Sequence, residues 1–185
     1  MPELLLLRHA KSDWQDASLD DFDRPLARRG RRAAPLMGRY LHDHGLEPDL
    51  VLCSTAQRAV ETLKLVLTAL ASAPQISYLK TLYLAPPSRM LGVLRRQDPR
   101  YERILLIAHN PGLERLALSL ADWEDGRDGG RNGVVAEQEA ALRRLAEKFP
   151  TAALARFQVP AWDSLGAQAA TLEEFVRPRD LSGTS

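Results

Sequence analysis

Two histidines and two arginines, distant in the sequence, carry the chemistry this chain could perform. Arg8-His9 follows an apolar run over residues 3–7, Arg58 lies shortly after a second run at 50–53, and His109 follows a third at 104–107. Neutral imidazole is a good nucleophile toward phosphorus, and protonated imidazole stabilises charge. Guanidinium forks match phosphate oxygens bidentately and stay charged at any working pH. The set therefore suggests phosphoryl transfer through a phosphohistidine: His9 attacks in line while Arg8, Arg58 and His109 hold the equatorial oxygens. Preorganised charge of this kind is often the largest catalytic term. Ser12 could add a hydroxyl contact to phosphate, although a turn role suits it as well.

Such residues meet only if the fold brings them to one edge. The runs at 3–7, 50–53 and 103–108 read as strands buried on both faces, with a weaker strand at 76–79 and two more at 152–159 and 170–176. Helical patterns separate them. One carries Gly30, Ala33, Met37, Tyr40 and Leu41 on a stripe, with Pro35 predicting a kink or a later start and Gly45 a stop. Ser54 with Gln57 reads as a capping box, Pro86 to Arg96 as a helix, and Asn110-Pro111 as an N-cap followed by Pro at the first helical position. Residues 122–133 read as a loop, followed by a polar helix to about Lys148. Strands alternating with helices predict a single α/β domain over residues 1–185, a three-layer α/β/α sandwich with a mostly parallel central sheet. In such sheets ligands bind beyond the carboxyl ends of the strands. Arg58 falls in the first turn of a helix, where a cation opposes the macrodipole unless both face a shared anion.

Composition narrows the partners. The chain has 185 residues, 45% hydrophobic and 26% charged, with a formal net charge of +1. No whole-molecule field selects nucleic acid or a membrane, so attraction for a charged substrate must be local. A single cysteine, Cys53, excludes an internal disulfide and a Cys-rich zinc site and is consistent with a reducing compartment. The first apolar run is too short for a signal peptide or a membrane span, so a cytoplasmic protein is expected.

The motifs resemble those of the histidine phosphatase superfamily, the phosphoglycerate mutase-like proteins. Residues 6–10 (Leu-Leu-Arg-His-Ala) resemble its Arg-His motif, residues 54–62 its second arginine segment, and residues 107–111 the segment of its second histidine. Within that group the sequence is most similar to the SixA-like phosphohistidine phosphatases, through residues 11–14, residues 23–26 with Gly30, and residues 175–178. The resemblance runs from Glu3 to about Leu181. It implies a covalent phosphohistidine at His9, phosphate contacts from Arg8 and Arg58, a second catalytic histidine at His109, and no metal or cofactor. Many superfamily members place a carboxylate general acid after the third strand. Here residues 82–87 read Leu-Tyr-Leu-Ala-Pro-Pro, an absence the SixA-like proteins share.

Plainer readings fit the other conspicuous residues. A zinc site of His9, His109 and an aspartate is disfavoured by the flanking arginines. His42 and His44 suit a helix C-terminus. Cys53 reads as a buried thiol, the aspartates 13, 16, 20, 21 and 23 as a solvated connection, and Arg28, Arg29, Arg31 and Arg32 as a solvated helix face. The leading expectation is a metal-independent phosphatase acting on phosphohistidine of a phosphorylated protein. A phosphomonoesterase or mutase acting on a small phosphorylated metabolite would use the same residues. A non-catalytic phosphate-binding module would not need the nucleophile.

Overall fold

The computed structural model describes residues 1–121 and 136–181. The apolar runs form strands because an apolar residue at every position suits a strand covered on both faces. These are β1 (Glu3–Arg8), β2 (Leu50–Ser54), β3 (Gln75–Leu79) and β4 (Arg103–Ala108), joined by β5 (Leu154–Gln158) and β6 (Thr171–Val176). The sheet order is β3-β2-β4-β1-β5-β6. The first four strands are parallel, and β5 and β6 add an antiparallel pair at one edge.

Alternation along each strand divides the apolar side chains between two faces. Leu4, Leu6, Leu50, Leu52, Ile104 and Leu106 pack against α3 (Pro87–Leu94), α4 (Gly112–Leu120) and α5 (Ala136–Glu147). Leu5, Leu7, Val51, Cys53, Leu105 and Ile107 pack against α1 (Arg28–Asp43) and α2 (Gln57–Leu67). The result is the expected three-layer sandwich, with a short α6 (Pro178–Leu181) after β6. Fully burying each leucine of β1 contributes about 1.5–3 kcal/mol, which is why the central strand is almost all leucine. At the opposite end of β1, Glu3 accepts hydrogen bonds from Arg103 of β4 (2.6 Å) and Arg156 of β5 (2.8 Å), tying both neighbours to it.

Local differences from the sequence reading have physical reasons. α1 begins at Arg28 and continues through Pro35, because Ala34, Met37, Tyr40 and Leu41 bury a face on both sides of it. Its end is the expected one: Gly45, at φ +64, donates to the His42 carbonyl and Leu46 to that of Leu41. Ser54 is not a helix cap. It remains in β2, while α2 opens at Gln57, whose amide turns to Glu61 (2.8 Å) instead of back to Ser54. Pro111 occupies the N-cap position of α4, and Gly112 is the first helical residue. The expected loop at 122–133 lies outside the described residues.

Gly112 lies where α4 crosses the connection after β3, and a Cβ there would overlap the carbonyl oxygen of Ala85. Gly92 in α3 has only the end of the Arg96 side chain near its missing Cβ, at 3.8 Å. Urea unfolding should show Gly112→Ala destabilised by about 1–3 kcal/mol through backbone displacement. Gly92→Ala should instead be neutral or more stable by up to ~1 kcal/mol. Equal effects at the two sites would remove the close backbone contact as the reason for Gly112.

Candidate active site

Strand register brings the two histidines together. β1 and β4 are adjacent and parallel with Arg8 opposite Ala108, so the next residue on each strand is a histidine. Their ring centroids lie 4.9 Å apart. Beyond this point the chain leaves β1 for α1 on one face and β4 for α4 on the other, which opens a crevice at a topological switch point. β2 flanks β4 with Cys53 opposite Ile107, so Ser54 comes level with the end of β4, and its Oγ lies 2.7 Å from His109 Nε2. The second residue of α2, Arg58, donates from Nε to His9 Nε2 at 3.3 Å. Arg8 donates from Nη1 to the Phe149 carbonyl at 2.8 Å, which fixes it beside the pair. The four residues expected to act together are therefore assembled at one edge. Ser12 is buried and bridged to Leu26, and it shares no hydrogen bond with those four.

The hydrogen bonds assign the imidazole nitrogens. His9 Nδ1 lies 2.8 Å from the Ala10 carbonyl oxygen, which can only accept, so Nδ1 carries the proton and Nε2 the lone pair. The Ala10 amide donates to Thr62 Oγ1 (2.9 Å), and the Thr62 hydroxyl donates to the Arg58 carbonyl (2.6 Å). α2 thus grips the backbone that carries His9. His9 is 6% exposed. Burial first, then the Arg58, Arg8 and Arg24 guanidiniums, lower its pKa to about 3. Burial, His9, Arg58 and Arg8 lower that of His109 to about 2. Both rings are neutral at neutral pH, the form in which His9 Nε2 can attack an electrophile. His109 Nδ1, on the side of the ring away from Ser54, is buried without a partner. Arg8 Nε is likewise buried and unpartnered. Unpaired buried polar atoms are costly, and guanidinium forks clustered beside two such atoms suit an anion.

Three further residues complete the crevice. Asp21 is the correction to the reading of its loop as a solvated connection. Its Oδ2 accepts from Arg58 Nη2 (3.0 Å) and from the Tyr83 hydroxyl (2.6 Å), and its Oδ1 pairs with Arg24. Arg24 is buried, with its guanidinium carbon 3.2 Å from the centroid of the Trp14 ring. Tyr83 meets His109 edge-on at 5.5 Å. Arg24 lies in the motif segment 23–26, which could have marked it. Tyr83 stands in the segment that the sequence distinguishes only by its lack of a carboxylate. Asp21 has no spacing signal among its neighbouring aspartates, of which Asp13 and Asp16 cap local turns. Cys53 is buried, and desolvation pushes its thiol up to about 12. Among the described residues, no three His, Cys, Asp or Glu side chains gather as a metal-ligand set.

The model of the histidine phosphatase superfamily (branch 1) matches residues 4–82, the stretch that supplies Arg8, His9 and Arg58. An uncharacterised protein of Mycobacterium tuberculosis is 36% identical over 94% of this chain and 100% of its own length. This chain belongs to the histidine phosphatase superfamily. Superfamily structures share the whole architecture. The proposed phosphohistidine phosphatase SixA of Agrobacterium tumefaciens is 26% identical with a TM-score of 0.76, covering 96% of this chain and 99% of that one. Its counterpart from Nakamurella multipartita is 25% identical, also with a TM-score of 0.76, covering 96% of each chain. No helix among the described residues of this superfamily member is long and apolar enough to cross a membrane.

The depressed histidines set a pH dependence of stability. In the unfolded chain each imidazole takes a proton near pH 6.5, whereas in the folded protein it resists until about pH 3 (His9) or about 2 (His109). The unfolded state therefore binds more protons below pH 6.5, and stability falls as the pH drops from 6.5 toward those values. Between pH 6.5 and 5 the loss is about 2 kcal/mol per histidine. Urea midpoints in phosphate-free buffer should decline over this range, and His109→Asn should flatten the decline. An unchanged slope in that variant would contradict a buried neutral His109.

Proposed function

We propose that this protein hydrolyses phosphohistidine on another protein, without a metal, through a covalent phosphohistidine at His9. The observation that carries the reading is the His9 ring, held neutral with Nδ1–H on a carbonyl and Nε2 facing Arg58. In the first step Nε2 forms a bond to phosphorus as the substrate's P–N bond breaks, and the departing imidazole takes a proton. In the second step water attacks phospho-His9, releasing inorganic phosphate and the free imidazole. Arg8, Arg58 and His109 hold the equatorial oxygens, where negative charge must be stabilised as the phosphoryl group transfers. The likeness to SixA structures at 25–26% identity supports the choice of phosphohistidine. A module that only bound phosphate would have no use for the nucleophile.

Brief exposure to a labelled phosphoryl donor should label His9 with an acid-labile, base-stable adduct, and His9→Ala should abolish label and turnover together. Arg58→Ala should lower kcat/KM at least ~100-fold, by analogy with the loss of one oxyanion donor. Turnover of His9→Ala near the normal rate would exclude His9 as the nucleophile.

One observation favours the metabolite phosphatase or mutase as a second reading. Asp21 places a carboxylate in the crevice beside Tyr83, although residues 82–87 contain none. As arranged, its side chain accepts from Arg58, Tyr83 and Arg24, so it positions these donors instead of supplying a proton. An alkoxide needs a proton to leave, and general acids typically supply ~100- to 10,000-fold for that step. The P–N bond of phosphohistidine is labile and its leaving imidazole is readily protonated. Across leaving groups of rising pKa, kcat/KM should therefore fall steeply, with alkyl monoesters slower by orders of magnitude. Asp21→Asn should keep that slope. A flat dependence that becomes steep in Asp21→Asn would make Asp21 the proton donor and the metabolite reading the better one.

A further inference from the structure

A second concave feature lies beside the crevice, toward the β6 edge of the sheet. It is a groove of about 240 Å³ between the start of α1, the end of α5, residues 150–151 and the start of α6. Lys11, Arg29, Arg144, Lys148, Arg177 and Arg179 line it, against one carboxylate, Glu147. The whole chain carries only +1, so this is a local segregation of charge. Arg177 is paired with Asp180 (2.9 Å), and Arg144 points to the Phe175 carbonyl (3.5 Å) with its buried Nε unpartnered. Lys11, Arg29, Lys148 and Arg179 are exposed and have no ion pair among the described residues. Arg29 also sits in the first turn of α1, which contains no acidic residue, so the helix's positive pole adds to the cations. Crowded like charges repel, and an anionic ligand relieves the repulsion.

The groove borders the crevice. Lys11 is two residues from His9, a Cα separation of at most about 7.6 Å. Pro150 and Thr151 continue from Phe149, whose carbonyl receives Arg8. We propose that this groove docks an acidic segment of the phosphoprotein whose phosphohistidine enters the crevice. The inference rests on the protein-substrate reading above. One phosphate already has a seat at Arg8 and Arg58, and a single further phosphate could engage only part of a charge spread over α1, α5, α6 and the segment after β1. An extended chain presents side chains to one face about every 7 Å and so meets such a spread with successive Asp or Glu residues.

The test reverses three exposed charges together, Arg29→Glu, Lys148→Glu and Arg179→Glu. Three readouts are taken: binding of labelled, unphosphorylated peptides, one Asp/Glu-rich and one neutral, kcat/KM for phosphohistidine peptides with acidic or neutral flanks, and turnover of p-nitrophenyl phosphate. The wild type should prefer acidic peptides, more strongly at low salt. The variant should bind the acidic peptide at least about tenfold more weakly and lose the flank preference, while aryl phosphate turnover stays within about twofold. Equal binding of acidic and neutral peptides by the wild type, or undiminished acidic-peptide binding by the variant, would overturn the docking proposal. If the acidic peptide binds as expected but no phosphohistidine peptide is hydrolysed, the groove stands as an acidic-segment site and the proposed reaction falls.

Discussion

The pairing of β1 with β4 sets the position of everything else in the crevice. Because the strands are parallel and in register to Arg8 and Ala108, His9 and His109 emerge side by side. A one-residue slip would send the Leu4 and Leu6 set to the opposite face, exchanging which helices it meets. The leucine packing on both faces thus holds the register, and the register sets the distance between the imidazoles. β2 then contributes Ser54 from the other side of β4, and α2 brings Arg58 over His9.

Electrostatics impose the complementary constraint. Arg8, Arg24 and Arg58 crowd two desolvated imidazoles, and burial lowers the pKa of each of these guanidiniums from its ordinary value. Asp21 supplies the negative charge facing two of them, and Tyr83 ties that carboxylate to the connection after β3. The same crowding keeps His9 unprotonated, so the groups suited to gripping an anion also preserve the lone pair that would attack it.

Much of this was legible from residue types alone. The strands, the sandwich and the convergence of Arg8, His9, Arg58 and His109 follow from apolar runs that end in charged or polar residues. The capping box expected at Ser54 does not form, because the pattern of Ser followed by Gln three residues later does not register a competing partner. Ser54 Oγ is instead engaged by the His109 ring and by the Ala56 amide. Asp21 and Tyr83 were not legible as site residues because their roles depend on two loops meeting, from opposite sides of β2 in the sequence. Strand order and the cationic groove are likewise products of assembly: the groove draws on residues from Lys11 to Arg179.

The central position of β1 has a consequence for how the chain is made. Its neighbours β4 and β5 lie about 100 and 150 residues downstream in sequence. At ~5–20 residues per second, translation leaves this leucine-rich strand waiting several seconds to half a minute for both neighbours. During that interval its unpaired edges and apolar faces can join other nascent chains as readily as the eventual partners. A sheet that threads its earliest strand between two of its latest is therefore a natural client for chaperones that hold emerging apolar segments, and its yield should depend on them more than its final stability does.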